Sequence, residues 1–174
     1  MRFVSSLGET QSRFFINIAD AGMGAEVVRK VNERSKWMGP SLTFFRAILE
    51  TFLSYRNVQA DIRMDKDRYQ GPIRSAVFAN GRYFGSGMCI APDAKPDDGI
   101  FAVVIIGNVS IADYLKYLPR IKKGEFIDHP EVSYYTAKKI ELYSPSKLEL
   151  EADGEFIGFA PVQIEIRPKT LTVL

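Results

Sequence analysis

Two acid-bearing turns carry the residues of this chain best suited to chemistry. The first, Ala91-Pro92-Asp93-Ala94-Lys95-Pro96-Asp97-Asp98-Gly99, sets three carboxylates on a loop stiffened by proline and closed by glycine. Such a loop at the mouth of an apolar strand needs water or a hard cation to solvate its charge. The second, Glu151-Ala152-Asp153-Gly154-Glu155, carries an Asp-Gly dipeptide suited to a tight turn between strands, which would hold a carboxylate at a rigid rim. Read alone, each turn is equally a solvated surface bend. Between them in interest stands Asn80-Gly81, a dipeptide favouring positive φ, with Gly85 and Gly87 close behind. One cysteine, Cys89, cannot form an internal disulfide, and one histidine, His129, cannot build a His-rich zinc site. Cys89 lies in an apolar stretch and reads as a small core residue.

The elements that must position these residues follow from periodicity. Residues 1–12 are polar and read as a frayed terminus. Arg13–Ala19 reads as a strand, Asp20–Gly24 as a turn and Ala25–Ser35 as a helix. This order invites a dinucleotide-binding reading, but Gly22-x-Gly24-x-x-Val27 lacks the third glycine and no second strand with a ribose-binding acid follows. The two glycines are expected to serve a tight strand-to-helix connection. After Gly39-Pro40, a second helix over Ser41–Tyr55 presents Phe44, Phe45, Ile48, Leu49, Phe52 and Leu53 at helical spacing, as core or as the wall of an acyl-chain pocket.

From Val58 the period changes to two. Val58–Met64 alternates apolar with polar, and Tyr69–Asn80 is expected to return beside it after a charged turn. Ile100–Ile106 is a buried strand. Ser110–Leu118 suits a short helix stopped by Pro119, and 121–130 a loop beside a basic cluster. Short strands are expected at 132–137, 138–143, 147–152, 162–167 and 170–174. The class is mainly β (α+β): an antiparallel sandwich or barrel-like domain with two or three peripheral helices.

Composition narrows the function. A length of 174 residues suits a single domain with a sizeable core. A net charge of +2 gives no argument for nucleic acid, and no window reaches the ~18 apolar residues needed to cross a membrane. A start without a signal-like apolar core, and no disulfide, fit a cytoplasmic protein.

Phe14-Phe15-Ile16-Asn17-Ile18-Ala19, then Phe78 to Met88, Ile90-Ala91-Pro92-Asp93-Ala94, Asp97-Asp98-Gly99 and finally Asp153-Gly154-Glu155 together resemble the diacylglycerol kinase/sphingosine kinase family of lipid kinases. The likeness runs along essentially the whole chain, in order, but only to the C-terminal, lipid-binding half of such enzymes. The Gly-Gly-Asp-Gly-Thr motif of the nucleotide-binding half is absent. The resemblance therefore implies one domain over residues 1–174, belonging to an ATP-dependent kinase of diacylglycerol or a related long-chain alcohol. That domain would be inactive without a nucleotide-binding domain in cis or trans. A non-catalytic lipid-binding module is the alternative, and a nucleotide enzyme of the wider superfamily shared with NAD kinases a third.

By motif position the resemblance implies Asp153 as general base for the lipid hydroxyl. It implies a structural Mg²⁺ site of the Asp98 side chain with the carbonyls of Lys95 and Ile100, Asp93 and Asp97 being less secure members. Asn80, Gly81, Gly85 and Gly87 would shape the cleft facing the nucleotide domain and its ATP. The helix at 41–55, with Trp37 and Met38, would border the lipid. Peripheral contact with a membrane surface and a homodimer are both left open.

Overall fold

The computed structural model describes residues 1–33, 39–85, 87–168 and 170. Their order is β1 (Arg2–Val4), β2 (Thr10–Ser12), β3 (Ile18–Gly22), α1 (Met23–Asn32), α2 (Pro40–Ser54), β4 (Val58–Met64), β5 (Asp67–Ile73) and β6 (Ser75–Ala79). Then come β7 (Tyr83–Phe84), β8 (Met88–Cys89), β9 (Phe101–Ile106), α3 (Ile111–Lys123), β10 (Val132–Ala137), β11 (Lys139–Tyr143), β12 (Glu149–Ala152) and β13 (Glu155–Glu165).

Eleven strands form one sheet in the order β10-β9-β6-β3-β12-β13-β11-β4-β5, with β1 and β2 attached to β13. Every pairing in it is antiparallel. The sheet curls until its halves face each other. Ile62, Ile140, Leu142 and Ile164 from one half pack with Phe78, Val103, Ile105 and Leu150 from the other in a single core. Tyr69 and Tyr135, on the two end strands, pack against that same core, so the barrel is nearly closed. Each fully buried side chain of this size contributes about 1.5–3 kcal/mol.

The outer face of β10-β9-β6-β3 is covered in turn. Ile18, Val77 and Val104 point away from the barrel core into a second apolar layer, which explains why β9 reads as a continuous apolar run. Above them Val27 of α1, Ala47 and Ile48 of α2 and Met88 of β8 make a third cluster, joined by Tyr114, Leu118 and Ile121 of α3.

The mainly β class with peripheral helices agrees with the sequence reading; several boundaries do not. Residues 1–12 are no frayed terminus, because β1 and β2 form a hairpin laid on β13. Asp20 to Gly22 is the second half of β3, not a turn; the change of direction is concentrated at Gly22, whose φ of 120° few side chains tolerate. The return over 69–80 is two strands, β5 and β6, the second paired with β3 and β9. Pro119 does not stop α3, which continues to Lys123 and ends at left-handed Gly124. A capping box at Ser110 and Asp113, with Arg120, Lys122 and Lys123 in the last turn, supports the helix through its proline. The strand expected at 162–167 is the tail of the eleven-residue β13. The expected strand at 170–174 and the contributions of Trp37 and Met38 lie outside the described residues.

Candidate functional site

The second acidic turn closes on the first strand-forming motif. Asp153, in left-handed conformation with φ 51°, leads from β12 into β13. Its Oδ2 accepts the amide N–H of Ile16 at 2.7 Å, and its Oδ1 accepts those of Asn17 and Ile18 at 2.9 and 3.1 Å. The Asp153 N–H donates to the Ile18 carbonyl at 2.8 Å. A carboxylate on three successive amides fixes both its own orientation and the path of the chain entering β3. The side chain is exposed, at a rim. Two residues on, Glu155 pairs with Arg13 at 2.5 Å.

The glycine loop meets the same place. The amides of Asn80 and Gly81 both donate to the Asn17 carbonyl, at 2.8 and 3.0 Å, and Asn80 Nδ2 donates to the Ile16 carbonyl at 2.7 Å. Asn17 Nδ2 reaches the Tyr83 carbonyl at 3.0 Å. A side chain on Gly81 would collide with Asn17 Oδ1, and one on Gly85 with the ring of Phe44. Residues 16–18, 80–83 and 153 are thus one unit, in which Asn80 Oδ1 is a buried acceptor without a partner. Gly87 lies in open space with φ 79°, so its part is conformational. Of the sequence-derived site residues, Asp153, Asn80 and Gly81 come together here, and Gly85 stands beside them at the mouth of a cavity.

That cavity encloses about 350 Å³ between the outer sheet face and all three helices. Ile18, Val77, Val104, Ile106 and Tyr134 form its floor; Val27, Phe44, Ile48, Phe52, Tyr114 and Ile121 form its walls. Asn17, Asp153 and Gly154 line one end. The volume falls at the lower end of the range for small-ligand sites, and the lining is overwhelmingly apolar.

Two buried acids lie beneath α1, beside the cavity. Asp20 of β3 and Glu151 of β12 are register partners, 1% and 3% exposed. Asp20 accepts the Ser75 hydroxyl at 2.5 Å and the Ala25 amide at 3.2 Å, which satisfies the start of α1 from within the sheet. A methyl at Gly24 would sit 2.6 Å from its Oδ1, so the helix approaches this closely only as glycine. Burial raises the Asp20 carboxyl to about 7. Burial, with Asp20 beside it, raises that of Glu151 to about 8. Glu151 accepts the Gly154 amide at 2.8 Å and thereby ties the Asp153 turn back to its own strand. Neither acid was singled out for chemistry in the sequence as Asp153 was. The available signal was an acid at a register position shared with Ile18 on an otherwise apolar strand, on the face that α1 covers, legible only once β3 is extended through Asp20.

The first acidic turn is a separate place. Asp98 Oδ1 accepts the Ile100 amide at 2.9 Å, and the Asp98 amide points toward the Lys95 carbonyl at 3.5 Å. Asp93, Lys95, Asp97 and Asp98 are exposed, while Ala91 and Ala94 anchor the loop in the outer apolar layer. Among the described residues no three His, Cys, Asp or Glu side chains cluster as metal ligands. What the turn offers is one carboxylate and main-chain carbonyls on a single bend, an all-oxygen set suited to a hard cation that keeps several waters. Among the described residues no helix is long and apolar enough to cross a membrane.

Comparison with known proteins agrees with this architecture. The chain is 30% identical over 156 residues to the diacylglycerol kinase of Staphylococcus carnosus (strain TM300), covering 89% of this chain and 51% of that protein. To the diacylglycerol kinase of Bacillus subtilis (strain 168) it is 26% identical over 155 residues, covering 89% and 51%. A solved structure from Bacillus anthracis str. Sterne, provisionally assigned as a diacylglycerol kinase, superposes with a TM-score of 0.63 at 20% identity, over 96% of this chain and 52% of that one. The chain thus spans about half the length of the curated relatives it matches. Residues 17–174 match the family described as the YegS C-terminal NAD kinase beta sandwich-like domain, and the chain belongs to that family.

Proposed function

We propose that this chain is the substrate-binding domain of an ATP-dependent lipid kinase, acting on the hydroxyl of diacylglycerol or a related long-chain alcohol. It acts with a nucleotide-binding domain supplied in cis or trans, as a cytoplasmic protein that meets the membrane surface peripherally. One observation carries the reading: an apolar cavity of single-chain size ends at the rim where Asp153 and the Asn80-Gly81 loop are held together.

In this reading the acyl chain lies on Ile18, Val77 and Val104 beneath α2, and the hydroxyl emerges beside Asp153. Oδ2, which accepts a single hydrogen bond, retains the lone pair that takes the hydroxyl proton as phosphoryl transfer proceeds. Three amide donors, one on Oδ2 and two on Oδ1, fix that carboxylate before substrate arrives, so orientation costs nothing at the moment of reaction. Asn80, Gly81, Gly85 and the open backbone at Gly87 form the face turned to the nucleotide half. Asp98, with the carbonyls of Lys95 and Ile100, would hold Mg²⁺, whose charge would stiffen that loop.

The test is to combine the chain with its cognate nucleotide-binding half and follow ATP-dependent phosphorylation of diacylglycerol. Asp153→Asn keeps the shape and one amide acceptor but no base; kcat is expected to fall roughly 10²–10⁴-fold with KM little changed. Wild-type kcat in that variant would exclude Asp153 as base. A second reading, a lipid-binding module without catalysis, is favoured by the extent to which Asp153 already serves the backbone of residues 16–18. Lipid uptake with no phosphorylation in the reconstituted pair would decide for it.

A further inference from the structure

The far end of the cavity holds a charge with nothing to meet it. β3 and β6 run antiparallel from Ile18 opposite Ala79, beside Asp153, to Gly22 opposite Ser75. Those four steps span about 13 Å. Arg74 lies immediately beyond, where β5 gives way to β6, with its carbonyl accepting the first amide of α1 and its amide donating to Ile106. Its side chain lines the cavity and is 9% exposed.

A guanidinium has five N–H donors and stays charged in proteins. Here one of them, on Nη1, reaches the Phe52 carbonyl at a long 3.4 Å, and the group stacks over the Phe52 ring at 5.0 Å. Nε is buried without a partner. Among the described residues no carboxylate lies within ion-pair distance of it. The two buried acids are committed elsewhere: Asp20 to Ser75 and the Ala25 amide, Glu151 to Gly154. Burial lowers the Arg74 pKa, and the neighbour that partly offsets this is the Tyr55 hydroxyl, itself neutral. A buried cation without a counter-charge is costly, and a methionine would fill the same space without that cost. The free N–H donors of Arg74 suit a carboxylate or phosphate, which a guanidinium binds with short, charge-assisted hydrogen bonds.

We infer that Arg74 receives the anionic head of a single-chain amphiphile, a carboxylate or phosphate monoester, whose alkyl chain runs along the cavity toward Asp153. This rests on the reading of the cavity as a lipid slot, but not on phosphoryl transfer. It also gives the slot a polarity opposite to that of a substrate hydroxyl placed at Asp153. An anionic lipid in this orientation would occupy the same volume and exclude the substrate chain, so it would act as a competitive regulator.

The experiment is calorimetric titration of the 174-residue chain with laurate, dodecyl phosphate and methyl laurate, below their aggregation limits. In the wild type at least one anion is expected to bind roughly ten- to hundredfold more tightly than the ester, the worth of hydrogen bonds to a charged group. The tighter of the two names the head. In Arg74→Met the anions should fall to the level of the ester, while the ester itself binds as before. Should that variant not fold by circular dichroism, Arg74→Gln takes its place with the same expectation. Methyl laurate bound as tightly as either anion in the wild type, or an anion preference surviving in the variant, overturns the role of Arg74 and leaves the apolar slot standing. If none of the three binds, the slot falls with it.

Discussion

At the scale of single residues, the acids of this chain divide by what surrounds them. Asp153 is at the rim and turned toward backbone amides; Asp20 and Glu151 are sealed beneath α1. For the sealed pair the folded-state pKa lies above the unfolded one, so the native chain holds protons that the unfolded chain has released. Stability is therefore greatest below about pH 4 to 5 as far as these groups are concerned. It declines as pH rises to the folded values of about 7 and 8. Across that window the loss is on the order of a few kcal/mol. Thermal unfolding of the wild type at pH 5.5 and pH 8.5 should give a lower Tm at the higher pH. Glu151→Gln, which keeps an acceptor for the Gly154 amide, should flatten that dependence and raise the Tm at pH 8.5. An unchanged pH slope in the variant would mean that Glu151 is ionised in the fold at little cost.

At the scale of elements, the close approach of α2 to Gly85 after β7 forms part of the cavity wall. Phe44 packs onto Gly85, which has a φ of 31° and no room for a side chain. Gly85→Val combines an unfavourable backbone conformation with a displaced ring and should destabilise by about 1–3 kcal/mol, measured as a shift in urea midpoint. A neutral result would mean that the turn moves freely away from α2. The same scale shows what sequence could and could not reveal. Alternation at Val58–Met64 and the apolar run at 101–106 announced their strands, because each face of those segments has a uniform environment. The ends of β3 and α3 were misjudged because glycine and proline were read as interruptions. Tertiary packing and the Ser110 capping box carry α3 through Pro119. Asp153, Asn80 and Gly81 were legible from motif and turn chemistry. Arg74 and the Asp20–Glu151 pair were not, since their meaning depends on burial and on partners far away in the chain.

At the scale of the whole molecule, the rim around Asp153 carries apolar side chains that the domain leaves uncovered. Phe14, Ile16 and Tyr83 are 73%, 62% and 49% exposed. On the proposed function this is where the nucleotide-binding half seats. Phe14→Ser with Ile16→Ser should weaken that association at least tenfold by analytical ultracentrifugation of the two halves, while the Tm of this domain changes little. Unaltered association would move the junction elsewhere. The bonds that converge on Asp153 join positions 135 to 137 residues apart. No fragment that stops short of β12 can assemble that carboxylate's surroundings; it is fixed in place only when β12 has joined β3 and the barrel has shut. The rim and the closed barrel therefore arrive in the same folding event.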